Sequence, residues 1–552
     1  MSEHRPIISS ARLIAVCTLA SRVTGLVRDM LLVHAFGAAW VLDAFFYAFQ
    51  FPNLFRRLFG EGALSAVFVP VFARTLENEG RPSAWQLLAR TLALLCLVLL
   101  LLIMAIEAVL LAIWLLLPGG ADRALILALT ALMLPFMLTI CVVALFSSIL
   151  NCLGSFGAPA LAPVVLNLVM MAGIVWLGPL VGGQDAERQM FGVAFSVLLA
   201  GALQLGLLVP VLWSKGVTLG WSLRTRDPRV REMLGKMVPV LFGQGVLLVG
   251  TFLDAQICAL LTHVRDGPQT VNVLGLAVTY PLTEGALTAL TVAQRLYQFP
   301  LGVLAISLAT AALPAFSRLA ARSAWHDWSG EVTRALRLAV FEGLLAGAFM
   351  IALAEPIVQL LFEHGRFDPA ATPRAARVLA FYGFGMWAFC AHQIVLRGFY
   401  SVGDVSTPVK ISCVLVPVNL VLSLVLIWFD AIREAAFAIS TSTTSTLAVL
   451  AGMVLLRRRV RTRLADGPTL WALARMVAAA AASALLTVWL RDAWAAVLAD
   501  AVTPAVLRRA LDTLGALGLG CALFLGLAAA LGLPEARLLL RGGRGSMARP
   551  PA

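Results

Sequence analysis

The stretch QFPNLFRRLFGEGALSAVFVPVFAR, Gln50 to Arg74, decides how this chain is organised, because a shortened form of it returns about 250 residues later. The second copy, Gln298 to Arg318, reads QFPLGVLAISLATAALPAFSR. Gln-Phe-Pro opens both copies, and Pro, Phe and Arg at two-residue spacing close both: Pro70, Phe72 and Arg74, then Pro314, Phe316 and Arg318. The first copy is four residues longer, about one helical turn. The surplus falls where Arg56, Arg57 and Glu61 stand, so these charges have no counterpart in the second copy. Each copy lies in hydrophobic sequence long enough to cross a bilayer. A duplicated membrane bundle with unequal charge predicts a transporter with a polar site between its halves.

Composition supports the membrane reading. The 552 residues are 61% hydrophobic and 13% charged, with a mean hydropathy of +0.92. Soluble domains of this size do not look like this. Hydropathy gives about fourteen spans, among them 10–34, 41–74, 235–263, 275–318 and 331–362. The expected fold is an all-α polytopic membrane protein of about 14 transmembrane helices. Met1 to Ser10 is polar and no small-residue cleavage site follows, which predicts that the first helix is retained as a span.

The net charge of +13 does not indicate nucleic acid, because the basic residues cluster in particular loops. Lys215, Arg229, Arg231 and Lys236 follow the sixth span, Arg318 and Arg322 the eighth, Arg457 to Arg463 the twelfth, and Arg537 and Arg541 the last. Alternate loops carry one or two basic residues each, such as Arg123, Arg188, Arg433 and Arg491. This asymmetry predicts that both termini are cytoplasmic. None of the eight cysteines forms a C-x-x-C pair, so neither a disulfide framework nor a zinc site is indicated.

The repeat extends further. ILNCLGSFGAP with PVVLN, ending at Asn167, resembles VLRGFYSVGDVSTP with PVN, ending at Asn419. The organisation expected from this is a six-helix lobe over 1–215 and a basic linker at 216–234. A second six-helix lobe covers 235–456, with another basic linker at 457–469. Two extra helices at 470–535 and a tail at 536–552 complete it. Each half starts on the same side, so the repeat is parallel.

Charges concentrate in the first two spans. SRVTGLVRD, Ser21 to Asp29, holds Arg22, Arg28 and Asp29; Asp43 opens the second span; Arg56, Arg57 and Glu61 follow within it; Arg295 precedes the second Gln-Phe-Pro. A charge at mid-membrane costs ~2.5–3.5 kcal/mol on insertion scales, so these residues must line a hydrated cavity or pair internally. The excess of Arg over acid suits a phosphate-bearing ligand, because guanidinium forks match phosphate oxygens. Asn167, Asn419, Gln244 and Gln256 read first as helix-to-helix hydrogen bonds. Glu107, Glu342 and His392 stay ambiguous, and Asp254 and Asp404 are weak candidates for a coupling cation, the only metal that the residues suggest. The chain has no G-x-x-x-x-G-K-[ST] loop and no H-E-x-x-H string, and nothing in it demands covalent chemistry or a cofactor.

Three strings carry a family resemblance: SRVTGLVRD, DAFFYAFQFPNLFRRLFGEGALSAVFVP (Asp43 to Pro70) and AQRLYQFPLGVLAISLATAALP (Ala293 to Pro314). They resemble the MurJ (MviN) family of bacterial lipid II flippases, in the multidrug/oligosaccharidyl-lipid/polysaccharide exporter superfamily. The resemblance implies two six-helix lobes around a cationic cavity lined by Arg22, Arg28, Asp29, Asp43, Arg56, Arg57, Glu61 and Arg295. It implies a non-enzymatic transporter that moves lipid II across the bacterial cytoplasmic membrane, in contact with membrane lipids and with cell-wall synthesis proteins as partners. The last two helices would hold the lipid tail. The chain departs from the family in having Gly60 before Glu61, where Ala is usual, and Gln294 before Arg295, where an acid is frequent. Three alternatives stand beside this one: a flippase for another polyprenyl-linked sugar, a drug/cation antiporter of the same superfamily, and a non-transporting scaffold.

Overall fold

The computed structural model describes residues 4–59, 67–116, 121–223, 227–263, 270–273, 276–462, 467–501 and 505–540. Helices dominate, and among the described residues eleven are long and apolar enough to cross a membrane. The chain forms two compact units: Met1–Thr288 with Gly365–Phe367, and Ala289–His364 with Asp368–Ala552.

In the first unit, α1 (His4–Phe36), α2 (Trp40–Phe55), α3 (Val69–Glu79) and α4 (Arg81–Leu116) are followed by α5 (Ala121–Met133), α6 (Phe136–Cys152) and α7 (Gly157–Ala172). Then come α8 (Gly178–Gly182), α9 (Ala186–Ser214) and α10 (Pro228–Leu260). Helix α7 packs between α1 and α9, α2 packs on α5 and α6, and α10 lies against α2 and α4. Apolar stretches make the helices, and local chemistry ends them. Asp227 caps α10 by accepting from the Arg229 amide, with Pro228 as the first helical residue. Asp185 caps α9 through the amides of Glu187 and Arg188.

Within the predicted span 41–74, helix α2 runs past Pro52 to Phe55, residues 56–59 and 67–68 are π-helical, and α3 begins at Val69. The predicted span 275–318 is shorter than expected. Thr270–Val273 (β2) and Leu276–Thr279 (β3) form an antiparallel hairpin, with Thr262–His263 (β1) paired in parallel with Leu282–Thr283 (β4). Helix α11 (Ala286–Pro300) starts only after Gly285. The reason is physical: TVNVLGLAVT is apolar enough for a hydropathy window, yet its β-branched residues flank a glycine, which favours a hairpin.

The second unit contains most of α11, a π-helical turn at Leu301–Ala305, α12 (Ile306–Ala321), α13 (Trp325–Ala352), α14 (Ala354–Phe362), α15 (Ala371–Ser401), α16 (Ser406–Leu426) and α17 (Ala435–Val460). Helix α15 is the hub, packing on α13 and α17. Both contacts need small residues. A Cβ on Gly343 would sit 2.6 Å from the Trp387 Cα, and one on Gly385 would sit 2.3 Å from the Ser442 hydroxyl. Helices α18 (Gly467–Ala501), α19 (Ala505–Ala530) and α20 (Pro534–Leu540) complete the unit. Phe341, Phe349, Met476, Phe524 and Leu533 form an apolar core that fixes α18 and α19 on α13. Ion pairs flank this core: Arg337 to Glu535 at 2.7 Å, Arg491 to Asp512 at 2.8 Å and Arg509 to Glu363 at 3.1 Å.

Candidate functional site

Helix α1 brings Arg28 and Asp29 to the face that meets α7. Both are buried, at 6% and 3% exposure. Arg28 curls back on its neighbour: Nε and Nη2 donate to Asp29 Oδ1 at 2.9 and 2.6 Å. Its Nη1 donates to Asn167 Oδ1 on α7 at 3.0 Å, with Met170 Sδ at 3.7 Å. Asp29 thus bonds to the adjacent Arg28. Arg22 is half-buried and makes no ion pair among the described residues. A charge-neutral pair with a polar neighbour is the form in which an arginine can persist inside a membrane bundle.

Asn167 is the residue that sequence reasoning undervalued. Its Nδ2 donates to the Ser21 carbonyl at 3.0 Å and to Thr24 Oγ1 at 3.1 Å, while its Oδ1 accepts a hydrogen bond from Arg28. Gly25 leaves the space, since a Cβ there would already lie 3.4 Å from Asn167 Nδ2. The available signal was the Asn at the same place in each half of the repeat. Only the structure shows that the first of them faces a guanidinium.

Asp43 is placed differently. At 2% exposure it accepts from the Gly285 amide (2.7 Å), the Thr288 amide (2.7 Å) and the Thr288 hydroxyl (2.6 Å), so its carboxylate caps the N-terminus of α11. Gly285 sits at φ +81°, and a Cβ on it would lie 2.3 Å from the Ala38 carbonyl oxygen. A Cβ on Gly37, at φ +68°, would lie 2.5 Å from the Arg366 carbonyl oxygen, and the Arg366 amide donates to the His34 carbonyl at 2.9 Å. These backbone crossings admit only glycine.

Arg56 and Arg57 lie in the π-helical turn and are half-buried. Arg56 donates to Asn53 Oδ1 from Nε and Nη2 at 3.3 and 3.1 Å. Glu61 lies outside the described residues. Arg295, on α11 in the second unit, is half-buried; its neighbour Gln294 donates to the Tyr382 hydroxyl at 3.3 Å. Asp254 is buried on α10 at 3% exposure. Asp404 caps α16, accepting from the Ser406 and Thr407 amides and from both hydroxyls. Burial pushes its carboxyl up, but the Thr407 and Ser406 hydrogen bonds outweigh this and hold it below the ordinary value. No group of three or more metal-binding side chains occurs among the described residues.

A second charged cluster joins α3, α4 and the start of α10. Arg229 Nη2 pairs with Asp227 at 2.8 Å and its Nη1 with Glu79 at 2.6 Å, while Arg90 also reaches Asp227. Glu232 accepts from Arg74 at 2.8 Å and Lys236 at 2.6 Å. The hydrogen bond from Arg229 holds the Asp227 carboxyl below its ordinary value. Arg74, which closes the first copy of the repeat, is therefore tied to the basic segment after α9.

Comparison with known proteins bears on both the sequence and the fold. The family model described as lipid II flippase MurJ matches residues 32–504. A probable lipid II flippase MurJ of Vibrio cholerae is 31% identical over 551 residues, covering 97% of this chain and 98% of its own. One from Rhizobium tropici is also 31% identical, over 80% of this chain and 79% of its own. Among solved structures, a lipid II flippase MurJ in an inward closed conformation superposes with a TM-score of 0.72 at 20% identity, over 96% of this chain and all of that one. An inward-facing multidrug transporter of the MATE family gives 0.64 at 14% identity over 82% of this chain and 98% of its own. The last two show a common fold; the sequence matches, which span most of the chain, go further and show that it belongs to the MurJ family of lipid II flippases.

Proposed function

We propose that this protein moves lipid II, the undecaprenyl-pyrophosphate-linked peptidoglycan precursor, from the inner to the outer leaflet of the bacterial cytoplasmic membrane. It does so by alternating access through a cationic cavity, with both termini in the cytoplasm. Full-length sequence similarity to the flippase family carries this reading. The likeness to MATE transporters, which is one of fold, does not extend to their cargo.

In this reading Arg28, Arg295 and one of Arg56 or Arg57 bind the pyrophosphate, while Asp29 and Glu61 orient the guanidinia. Arg22 adds to the positive field. Asp43 acts at one remove, by fixing the first turn of α11, the helix that carries Arg295. The functional lobes follow the repeat, 1–215 and 235–456, with the helices of 470–535 serving the polyprenyl tail. The energetic logic is desolvation. A pyrophosphate taken unaided into hydrocarbon would cost far more than the few buried charges the chain maintains. Membrane lipids and cell-wall synthesis proteins are the expected neighbours.

The test is outer-leaflet exposure of lipid II in bacteria depleted of their own flippase and supplied with this chain. Exposure restored by the wild-type chain and not by Arg28→Ala supports both the substrate and the site. A well-expressed, inserted wild-type chain that restores nothing overturns the assignment.

A further inference from the structure

We propose that Asn167 is a positioning residue that parks the Arg28 guanidinium, and that the parked form is the one that does not hold the anionic headgroup. The inference rests on the proposed function and adds a switch to it. Asn167 grips one face of α1 at three points: the Ser21 carbonyl, the Thr24 hydroxyl and Arg28 Nη1. Positions 21, 24 and 28 lie on a common helical stripe. A carbonyl oxygen only accepts, so the Ser21 contact fixes the amide with Nδ2 toward Ser21 and Oδ1 toward Arg28. The side chain is thus committed to one orientation.

Arg28 is committed in turn. Phosphate binds a guanidinium through paired N–H groups on one edge. Here the Nε/Nη2 edge is taken by Asp29 Oδ1, Nη1 by Asn167 and Met170, and the side chain is 6% exposed. A pyrophosphate can take a paired N–H edge of Arg28 only by displacing one of these partners. The bond to the neutral amide is weaker than the bonds to the carboxylate, so the Asn167 contact opens first and Asp29 stays with the arginine as it turns. Asn167 therefore sets how readily Arg28 becomes available. A helix-packing role alone would leave headgroup affinity unchanged or lower it; parking means that removing the amide raises it.

The measurement is binding of undecaprenyl pyrophosphate to the full-length protein in phosphatidylcholine nanodiscs, by native mass spectrometry. Asn167→Leu is expected to bind about 3- to 10-fold more tightly than wild type, the worth of one hydrogen bond, and to transport more slowly. Asn167→Asp, whose carboxylate holds the guanidinium harder, is expected to bind more weakly by at least as much. The double variant Arg28→Ala/Asn167→Leu should bind like Arg28→Ala. Wild-type or weaker binding by Asn167→Leu overturns the proposal, and if that variant does not fold, undiminished binding by Asn167→Asp does so. Undiminished binding by Arg28→Ala would instead overturn the headgroup site itself.

Discussion

Asn167 and Asn419 occupy matching places in the two halves of the repeat, each a few residues beyond a proline in the helix that follows a glycine turn. The first accepts a hydrogen bond from Arg28 of α1, while the second accepts one from the Thr444 hydroxyl of α17 at 3.4 Å. Nearby, Ser423 of α16 and Ser440 of α17 share a hydrogen bond of 2.6 Å. Close glycine–serine contacts occur in both halves, but at different places. A Cβ on Gly173, just after α7, would fall 2.2 Å from the Ser196 hydroxyl of α9, and one on Gly385 of α15 would fall 2.3 Å from that of Ser442 of α17. The two asparagines therefore share a place in the repeat and differ in what they bond to.

The sharpest way to break that comparison is to remove charge from each half. Arg28→Ala should bring outer-leaflet lipid II down to the level of flippase-depleted cells, with the protein still inserted. Arg295→Ala, the charge that precedes the second copy, is expected to do the same. Full activity of either variant would mean that the two halves do not both supply cations. The next effect is on the glycine contacts. Gly173→Ala and Gly385→Ala should each destabilise by about 1–3 kcal/mol through overpacking, read as a fall in melting temperature in detergent. An unchanged melting temperature would show that the neighbouring serine gives way.

A smaller effect belongs to the ion cluster around Asp227. Its carboxyl is held down by Arg229, so the stabilisation is complete above the ordinary aspartate pKa and is lost as pH falls through the depressed value. The protection of 227–236 against hydrogen exchange, taken relative to the intrinsic rate at each pH, should thus stay flat from pH 7 to about 4 and fall only below that. Asp227→Asn should lower it across the whole range. The smallest effect is expected at Asn419→Leu, which should leave headgroup binding unchanged. A change as large as that of Asn167→Leu would erase the distinction between the two asparagines.

The sequence showed the membrane class, the repeat and the family, because these depend on apolar run length and on long charge-rich strings. Residue partners were harder to see. Arg28 and Asp29 stood out as intramembrane charges, but their mutual bond was hidden, since helical spacing sends adjacent residues 100° apart and ignores how far an arginine can curl. Asp43 was grouped with the cavity arginines because it is charged and near them in sequence. Its grip on the Gly285 and Thr288 amides crosses more than 240 positions, and no local pattern reports that. The opening of the predicted eighth span failed for a different reason: hydropathy measures transfer to oil and carries no term for β-branching.

The π-helical turns after the two Gln-Phe-Pro phrases give each copy wider coils than an α-helix of the same length. Such a turn holds one residue more than an α-helical register would. Deleting a single codon there would let the turn relax to α-helix with the faces beyond it kept, whereas deleting one in the α-helix that follows would rotate everything beyond it by about 100°. In the second copy that would carry Arg318 to a new face while leaving composition and hydropathy almost untouched. The information at this point of the gene lies in residue count, a quantity that substitution scanning does not sample and insertion–deletion scanning does.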